Sequence, residues 1–447
     1  MELEREKIMS EIKEIFKKKI KERTLKVGVI GLGYVGLPLA VEFGKAGYEV
    51  VGIDLDSKKV QSINNGHSHI LDVKDEEVST LVNMGRLRAT TEFSEISQLD
   101  SLSICVPTPL NKNQEPDTSY ITTTVDNILA YLKNPLLMVL ESTTYPGTTR
   151  ELFADRFNQK GYQADKDYFL CFSPERVDPG NKKYKTKQIP KVIGGLTQSS
   201  TEVGCLLYEK VIDKVVPVSS TETAEMSKLL ENTFRSVNIA FVNEMALMCD
   251  RMGIDIWETI EAASTKPFGF MPFYPGAGVG GHCIPLDPMY LYWKGKQDRY
   301  FNQFIELSQR INLNMPYEVI EKVRISLDSI GKTLSEANVL IIGLSYKDNI
   351  DDVRESPALE IYEQLKKEAG NVAVFDPYVK SFKDVNGERQ SVIQEQSNIT
   401  YSDYDGAVIL AKHENIDFDE ILDKLPTIVD MKRTWKTKHK KVVTIGG

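Results

Sequence analysis

Cys283 closes the run FYPGAGVGGHCIPLDP, preceded by Gly276, Gly278, Gly280 and Gly281 and followed four residues later by Asp287. Glycines at that density bring backbone amides close to a bound group and leave a thiol uncovered. A nucleophile needs both where an oxyanion forms beside it. Most of the other cysteines (Cys105, Cys171, Cys205, Cys249) sit in apolar runs and read as small buried hydrophobes. Lys228, Asn232 and Arg235 stand at i, i+4 and i+7 of a helical pattern, hence on one face. A Lys/Asn pair can hold an oxyanion or a water, and a partly desolvated lysine exchanges protons near neutral pH. Without the cysteine loop, the same three residues would read as a solvated polar stripe.

A second constellation concerns a nucleotide. Gly31, Gly33 and Gly36 form G-x-G-x-x-G between a strand pattern and a helix pattern, and Asp54 ends the next strand at the spacing of a ribose ligand. The amides of Tyr34 and Val35 would then face the phosphates from the helix N-terminus. A carboxylate at Asp54 repels a 2′-phosphate, so the pattern points to NAD over NADP, with Lys58 and Lys59 nearby as a counterweight. Open parallel sheets bind ligands beyond the carboxyl ends of their strands. Three loops placed there carry Thr108 in CVPTP, Thr143 in ESTTYPGTT and Glu175 in FSPERV. Each alone reads as a turn or cap residue; together at one sheet edge they become site candidates.

The elements that must hold these residues alternate from Leu25 onward. KVGVI, EVVGID, SLSICV, LLMVLES, YFLCFS and KVIGG read as strands, with a helix from about Tyr34 to Ala46. That alternation predicts a parallel doubly wound sheet. From about Thr221 the period becomes helical, with Met226, Leu229, Leu230, Phe234, Val237, Phe241 and Met245 at helical spacing. A second helical stretch covers about Tyr300–Ile330 and should kink or break at Pro316. ANVLIIGLSYK, NVAVFDP, DGAVILAKH and TIVDMKR then supply strands of a second Rossmann-like domain that lacks the full glycine fingerprint. The fold expected is α/β: two Rossmann-like doubly wound domains joined by a long-helix central domain. Its parts are an N-terminal helical extension at 1–24, a NAD-binding domain at 25–215, a central helical dimerisation domain with the cysteine loop at 216–330, and a second Rossmann-like domain at 331–447. The 1–24 helix reads either as a packed surface extension or as an oligomer contact. The long helix offers an apolar face for a homodimer or larger assembly.

Composition narrows the function classes. With 41% hydrophobic and 27% charged residues the chain reads as a globular enzyme, and a net charge of −9 argues against a nucleic-acid partner. Five scattered cysteines without a CxxC pair fit a reduced, cytoplasmic protein and give neither a disulfide framework nor a metal site. No stretch has the apolar length of a membrane span.

Taken together, GLGYVGLPLA, CVPTPL, ESTTYPGTT, SPERV, SKLLENTFRSVN, GVGGHCIPLDP and GLSYKDNIDDVRESPA make the chain resemble the UDP-glucose/GDP-mannose dehydrogenase family over about residues 25–435. That resemblance implies a four-electron oxidation of a hydroxymethyl group by NAD, with Cys283 forming a thiohemiacetal and then a thioester. Glu175 would activate the hydrolytic water, Lys228 and Asn232 would steady the oxyanion, and Asp287 would assist. It also implies a UDP-sugar bound by Arg176, Val177, Lys228, Asn232, Arg235, Gly280, Tyr346, Lys347 and Lys432, with Arg354 on the cofactor. Tyr346 is a packing candidate beside Lys347. Lys432, followed by Arg433, stands where the family usually has an arginine. GGHCIPLDP looks like the N-acetylhexosamine branch, since UDP-glucose enzymes more often read GGSCFPKD. The stretch ILDVKDEEVSTLVNMGRLRATTEFSE is similar to UDP-N-acetylglucosamine 6-dehydrogenases more than to N-acetylmannosamine enzymes. UDP-N-acetylglucosamine is thus the first expectation, with UDP-N-acetylmannosamine, UDP-N-acetylgalactosamine and UDP-glucose behind it. Outside that reading stand a two-electron hydroxyacid-type dehydrogenase and a non-catalytic NAD-binding protein. The first needs neither Cys283 nor residues 331–447.

Overall fold

Short apolar runs bounded by glycine and polar loops become strands buried on both faces, and the amphipathic segments between them cover those faces. A computed structural model describes the chain except Met1 and residues 71–72, 112–114 and 177–185, and except the side chains of Glu2, Leu3 and Arg5. The chain divides into two units: residues 1–231 with 293–298, and residues 232–292 with 299–447.

The first unit holds an eight-stranded sheet. Its strands are β1 (Lys26–Ile30), β2 (Glu49–Ile53), β3 (Leu87–Thr90), β4 (Ser101–Ile104), β5 (Leu136–Leu140), β6 (Tyr168–Phe172), β7 (Lys191–Gly195) and β8 (Val215–Val218). Their order is β3-β2-β1-β4-β5-β6-β7-β8, parallel except where β6 meets β7. The order reverses between β1 and β4, and the loops that follow those two strands flank the crevice where such sheets bind ligands. One apolar layer covers each face, one built on Val27, Val29 and Phe43 and the other on Ile104, Met138 and Phe172. The N-terminal helix, Glu2–Glu22, belongs to the first layer. Phe16 and Ile20 are buried, the Phe16 ring meets Phe169 at 5.1 Å, and the Tyr48 hydroxyl donates to Ile20 O at 3.1 Å. The helix is thus packed on its own unit along this face, while Ile8 and Ile15 stay exposed.

The second unit holds β9 (Asn338–Ile342), β10 (Asn371–Phe375), a hairpin of β11 (Ser381–Lys383) and β12 (Arg389–Ser391), β13 (Gly406–Ile409), β14 (Ile428–Asp430) and β15 (Val442–Thr444). Its sheet runs β10-β9-β13-β14-β15, parallel at every pair, which is the doubly wound order 2-1-3-4-5. One face packs on helices Ile256–Ser264 and Gln303–Asp328 and on the later turns of Thr221–Met252, through Ala246, Trp257, Val319 and Val323. The break expected at Pro316 is absent, because the helix Gln303–Asp328 runs through it. Burial of Met315, Val319, Ile320 and Val323 on the sheet offsets the one helical hydrogen bond that proline forfeits.

Candidate active site

The turn after β1 is shaped by contacts that only glycine permits. Gly31 has φ +86°, and a Cβ there would lie 2.5 Å from Cys105 O; a Cβ on Gly36 would lie 1.8 Å from Gly31 O. A Cβ on Gly33, in contrast, would meet nothing within 4 Å. The helix Gly36–Lys45 starts with Val35 at its N-cap, and no side chain caps it. Its positive end is therefore left for an anion, which fits a dinucleotide pyrophosphate. Asp54 sits at the end of β2. Its carboxylate accepts the Leu32 amide at 2.8 Å and the Asp56 amide at 2.9 Å, with Lys59 Nζ 3.6 Å away. Four lone-pair sites on a carboxylate leave capacity for ribose hydroxyls. Tyr34 is exposed, and Thr108 is buried in the loop after β4, on the other flank of the crevice.

The loop after β5 is tied to the helix Thr221–Met252. Lys228, itself buried, donates to Thr143 Oγ1. One turn earlier Glu225 accepts the amides of Gly147 and Thr149 at 2.6 and 2.8 Å and the Thr149 hydroxyl at 2.6 Å. Burial pushes the Glu225 carboxyl up to about 7, against those three donors, which pull it down. Beneath the loop after β6 lies a second buried group. Lys191 Nζ sits 2.6 Å from Glu141 Oε2 and 3.3 Å from Glu175 Oε2, and the Tyr208 hydroxyl donates to Glu141 Oε1. Arg176 turns to Glu231, at 2.8 Å, and to Pro190 O. Val177 lies outside the described residues.

In the second unit the cysteine loop is fixed at both ends. The Gly276 amide donates to Asn243 Oδ1 at 2.9 Å; Asn243 donates to Asn312 Oδ1 at 3.1 Å, and Asn312 to Ser236 O at 3.2 Å. At the far end Cys283 O accepts the Asp287 amide at 2.8 Å, at the start of the helix Asp287–Gln297. Buried Asp287 accepts from Asn232 Nδ2 at 2.5 Å. Between those anchors the glycines pack against the Tyr346–Pro357 segment. A Cβ on Gly280 would lie 2.6 Å from Tyr346 Cβ, one on Gly281 2.9 Å from the Tyr346 ring, and the Gly281 amide donates to Arg354 O at 3.0 Å. At least two of the glycines thus serve close packing. Of the five cysteines, only Cys283 is exposed. Arg235 is exposed on the long helix.

Lys347 stands in the loop after β9, at the point where the second sheet reverses its order between β9 and β13. That loop is pinned from the loop after β13: the Lys412 amide donates to Asp348 Oδ1 at 2.8 Å and the Asn349 amide to His413 Nδ1 at 2.9 Å. Lys432 pairs with Asp348 at 3.0 Å, while its neighbour Arg433 reaches Asp255. The Arg354 guanidinium forms a two-point pair with Asp352, at 2.7 and 3.0 Å.

Sequence reasoning passed over Glu225, Glu141, Lys191 and Tyr208. A signal did exist for two of them: Glu141 and Lys191 are charges abutting apolar strand runs, LLMVLE and KVIGG, with no turn residue between.

Three models of one family match along the chain in series. They are the UDP-glucose/GDP-mannose dehydrogenase family NAD binding domain over residues 25–212, its central domain over 222–314 and its UDP binding domain over 340–437. The chain is similar to a UDP-N-acetyl-D-mannosamine dehydrogenase of Pyrococcus horikoshii, 35% identical over 80% of this chain and 85% of the relative. It is equally similar to a UDP-N-acetyl-D-glucosamine 6-dehydrogenase of Salmonella typhi, 35% identical over 87% of this chain and 90% of the relative. Among solved structures, a UDP-D-ManNAc dehydrogenase from Pyrococcus horikoshii superposes with a TM-score of 0.85 at 31% identity, covering 94% of this chain and 99% of that one.

Proposed function

The chain belongs to the UDP-glucose/GDP-mannose dehydrogenase family, and from that membership we propose that it oxidises the primary alcohol of a UDP-N-acetylhexosamine to the uronic acid through a thioester on Cys283. NAD is its cofactor, and the turn from Gly31 to Gly36 with Asp54 would hold it, aided by Thr108, Thr143 and Arg354. When bound, it supplies the hydride acceptor, twice per turnover. The observation that carries the reading is the exposed Cys283 at the end of a loop anchored on Asn243 and on Asp287.

Lys228 is the group to take the alcohol proton as the first hydride leaves. The Cys283 thiolate then adds to the aldehyde carbon, and Lys228 and Asn232 steady the oxyanion of the thiohemiacetal. Loss of the second hydride leaves the thioester. Water adds to it as Glu175 accepts a proton; the C–S bond breaks, and the sulfur departs as thiolate. Lys347 binds the diphosphate, with Arg176, Val177, Arg235, Gly280, Tyr346 and Lys432 completing the sugar-nucleotide contacts. Leu230, Phe234 and Phe241 are 59%, 46% and 57% exposed on the long helix and supply the face of a homodimer or larger assembly. The reaction belongs in the cytoplasm and feeds an amino-uronic acid to surface polysaccharide.

UDP-N-acetylglucosamine is the substrate we favour, from the GGHCIPLDP loop and the segment that begins at Ile70. UDP-N-acetylmannosamine is the second reading, supported by the likeness to enzymes named for it. Comparing kcat/KM for these two with UDP-N-acetylgalactosamine and UDP-glucose decides between them. The chemistry is tested by mass: Glu175→Gln, given NAD and the substrate, should stall with a uronyl adduct on Cys283. Full acid production by Cys283→Ala would overturn the thioester.

A further inference from the structure

In the second sheet β9 lies between β10 and β13, all parallel, so the loops that follow them leave from one edge. The loop after β9 carries Lys347, and both flanking strands send a residue to hold it. Asp376 directly follows β10. Its Oδ2 accepts the Leu344 amide at 2.7 Å and the Ser345 amide at 3.2 Å, where the loop begins. His413 follows β13, and its side chain, like that of Asp376, is wholly buried. Its Nδ1 accepts the Asn349 amide at 2.9 Å, further along the same loop, while its Nε2 lies 3.3 Å from Asp376 Oδ2.

Those partners fix the state of the ring. A backbone N–H only donates, so Nδ1 must turn its lone pair to Asn349 and carries no proton. Asp376 is an acceptor: burial opposes its charge, but donors from His413, Leu344 and Tyr378 hold its carboxyl below the usual range. The imidazole proton therefore sits on Nε2, and the ring is neutral. One carboxylate thus holds the loop twice, directly at Leu344 and Ser345 and through the imidazole at Asn349. We propose that His413, kept in its Nε2–H tautomer by Asp376, is a positioning residue for substrate binding, holding the loop after β9 in the conformation that presents Lys347 to the diphosphate. This rests on the reading of Lys347 as the diphosphate contact.

The loop needs such a hold. Asn349 stands at φ +63°, in the left-handed region that a residue other than glycine keeps only where its surroundings fix it. Its amide is fixed by His413, and its Oδ1 accepts the Glu414 amide at 2.8 Å. The Ser345 hydroxyl donates to Lys347 O at 2.8 Å, which ties the middle of the loop to the beginning that Asp376 holds. The imidazole is itself braced, its ring centroid 5.0 Å from that of Tyr378. A loop that can leave this conformation binds more weakly, in proportion to the time it spends elsewhere.

The test is titration calorimetry of the full-length protein with UDP and, separately, with NAD. His413→Gln keeps a donor for Asp376 but offers Asn349 no acceptor, and its Kd for UDP should rise about tenfold. His413→Asn places its Oδ1 where Nδ1 stood and should regain most of the UDP affinity that His413→Gln loses. Neither variant should change the Kd for NAD. An unchanged UDP affinity in His413→Gln, equal losses in the two variants, or an equal loss of NAD affinity overturns the proposal. Should both variants fail to fold, the wild-type ring decides, since His413 is the one buried histidine of five. Nitrogen-15 resonances of histidine-labelled protein should show it neutral with its proton on Nε2; a proton on Nδ1 overturns the assignment. Lys347→Ala is titrated alongside. If it binds UDP normally, the reading of Lys347 is wrong and this assignment goes with it; if it weakens UDP binding while His413→Gln does not, only the role of His413 falls.

Discussion

Asp54 and Asp376 do the same work at the same corner of two different sheets. Each accepts the amide of the residue after a glycine with φ +86°, Leu32 behind Gly31 and Leu344 behind Gly343. Each also accepts the amide two residues further along, Asp56 or Tyr378. Both glycines donate at 2.8 Å to the last residue of the second strand, Ile53 or Phe375. The corners differ in what meets the acid. Asp376 is fully buried with His413 Nε2 3.3 Å from it, whereas Asp54 faces Lys59. Burial would push the Asp376 carboxyl up, but His413 and the loop amides hold it below the usual range. We propose that only the first corner keeps its acid for a ribose.

The first prediction follows from that corner. The wild-type protein should use NAD far better than NADP, and Asp54→Ser should narrow the ratio of their kcat/KM values by lowering the repulsion of a 2′-phosphate. Equal use of both cofactors by the wild type would contradict it.

Gly33 and Gly36 should fail differently. Alanine at 36 must collide with Gly31 O, so Gly36→Ala should lower the melting temperature of the unliganded protein sharply. Alanine at 33 meets nothing within 4 Å, so Gly33→Ala should fold normally and lose NAD affinity, because its methyl enters the space the pyrophosphate needs. Calorimetry with and without NAD separates the two outcomes.

Glu225 should make stability fall as pH rises. Its folded value of about 7 lies above the ordinary 4.5, so between those values the folded chain holds a proton that the unfolded chain has released. The contribution is fully present below about 4.5, is lost as pH climbs through about 7, and is at most about 3 kcal/mol. Urea denaturation at a series of pH values should show this slope and should lose it in Glu225→Gln; an unchanged slope would mean that Glu225 titrates normally.

Lys347→Ala should weaken UDP binding by about tenfold or more, the worth of a charged contact of about 1.5–3 kcal/mol. NAD binding should be nearly unchanged. Isothermal titration with UDP and NAD measures both, and equal losses would argue for a general loosening of the fold.

What the sequence made legible was local. The glycine turn and Asp54 could be read because their spacing is fixed by one strand, one turn and one helix. The cysteine loop could be read because its four glycines, from Gly276 to Gly281, are close together in sequence. The strands overlooked in the two main sheets, β3, β8 and β15, are all edges. β8 carries Pro217, β3 alternates around the exposed Arg88, and such half-wet strands lack the continuous apolar run of their neighbours. Glu225 and the Glu141–Lys191–Glu175 group were illegible for another reason. Their partners lie between 16 and 78 positions away in sequence, and no spacing rule reaches that far. The resemblance to a family named the residues expected to meet ligands, but it was silent on those that hold them.

Pro316 leaves the helix Gln303–Asp328 one N–H short, and the carbonyl it fails to meet belongs to Asn312. A Cβ on Gly278 of the cysteine loop would stand 3.1 Å from that same oxygen. The helix is therefore one bond short where the glycine loop before Cys283 approaches it. Pro316→Ala should close the missing helical bond and raise the unfolding free energy by up to about 3 kcal/mol, which urea denaturation measures.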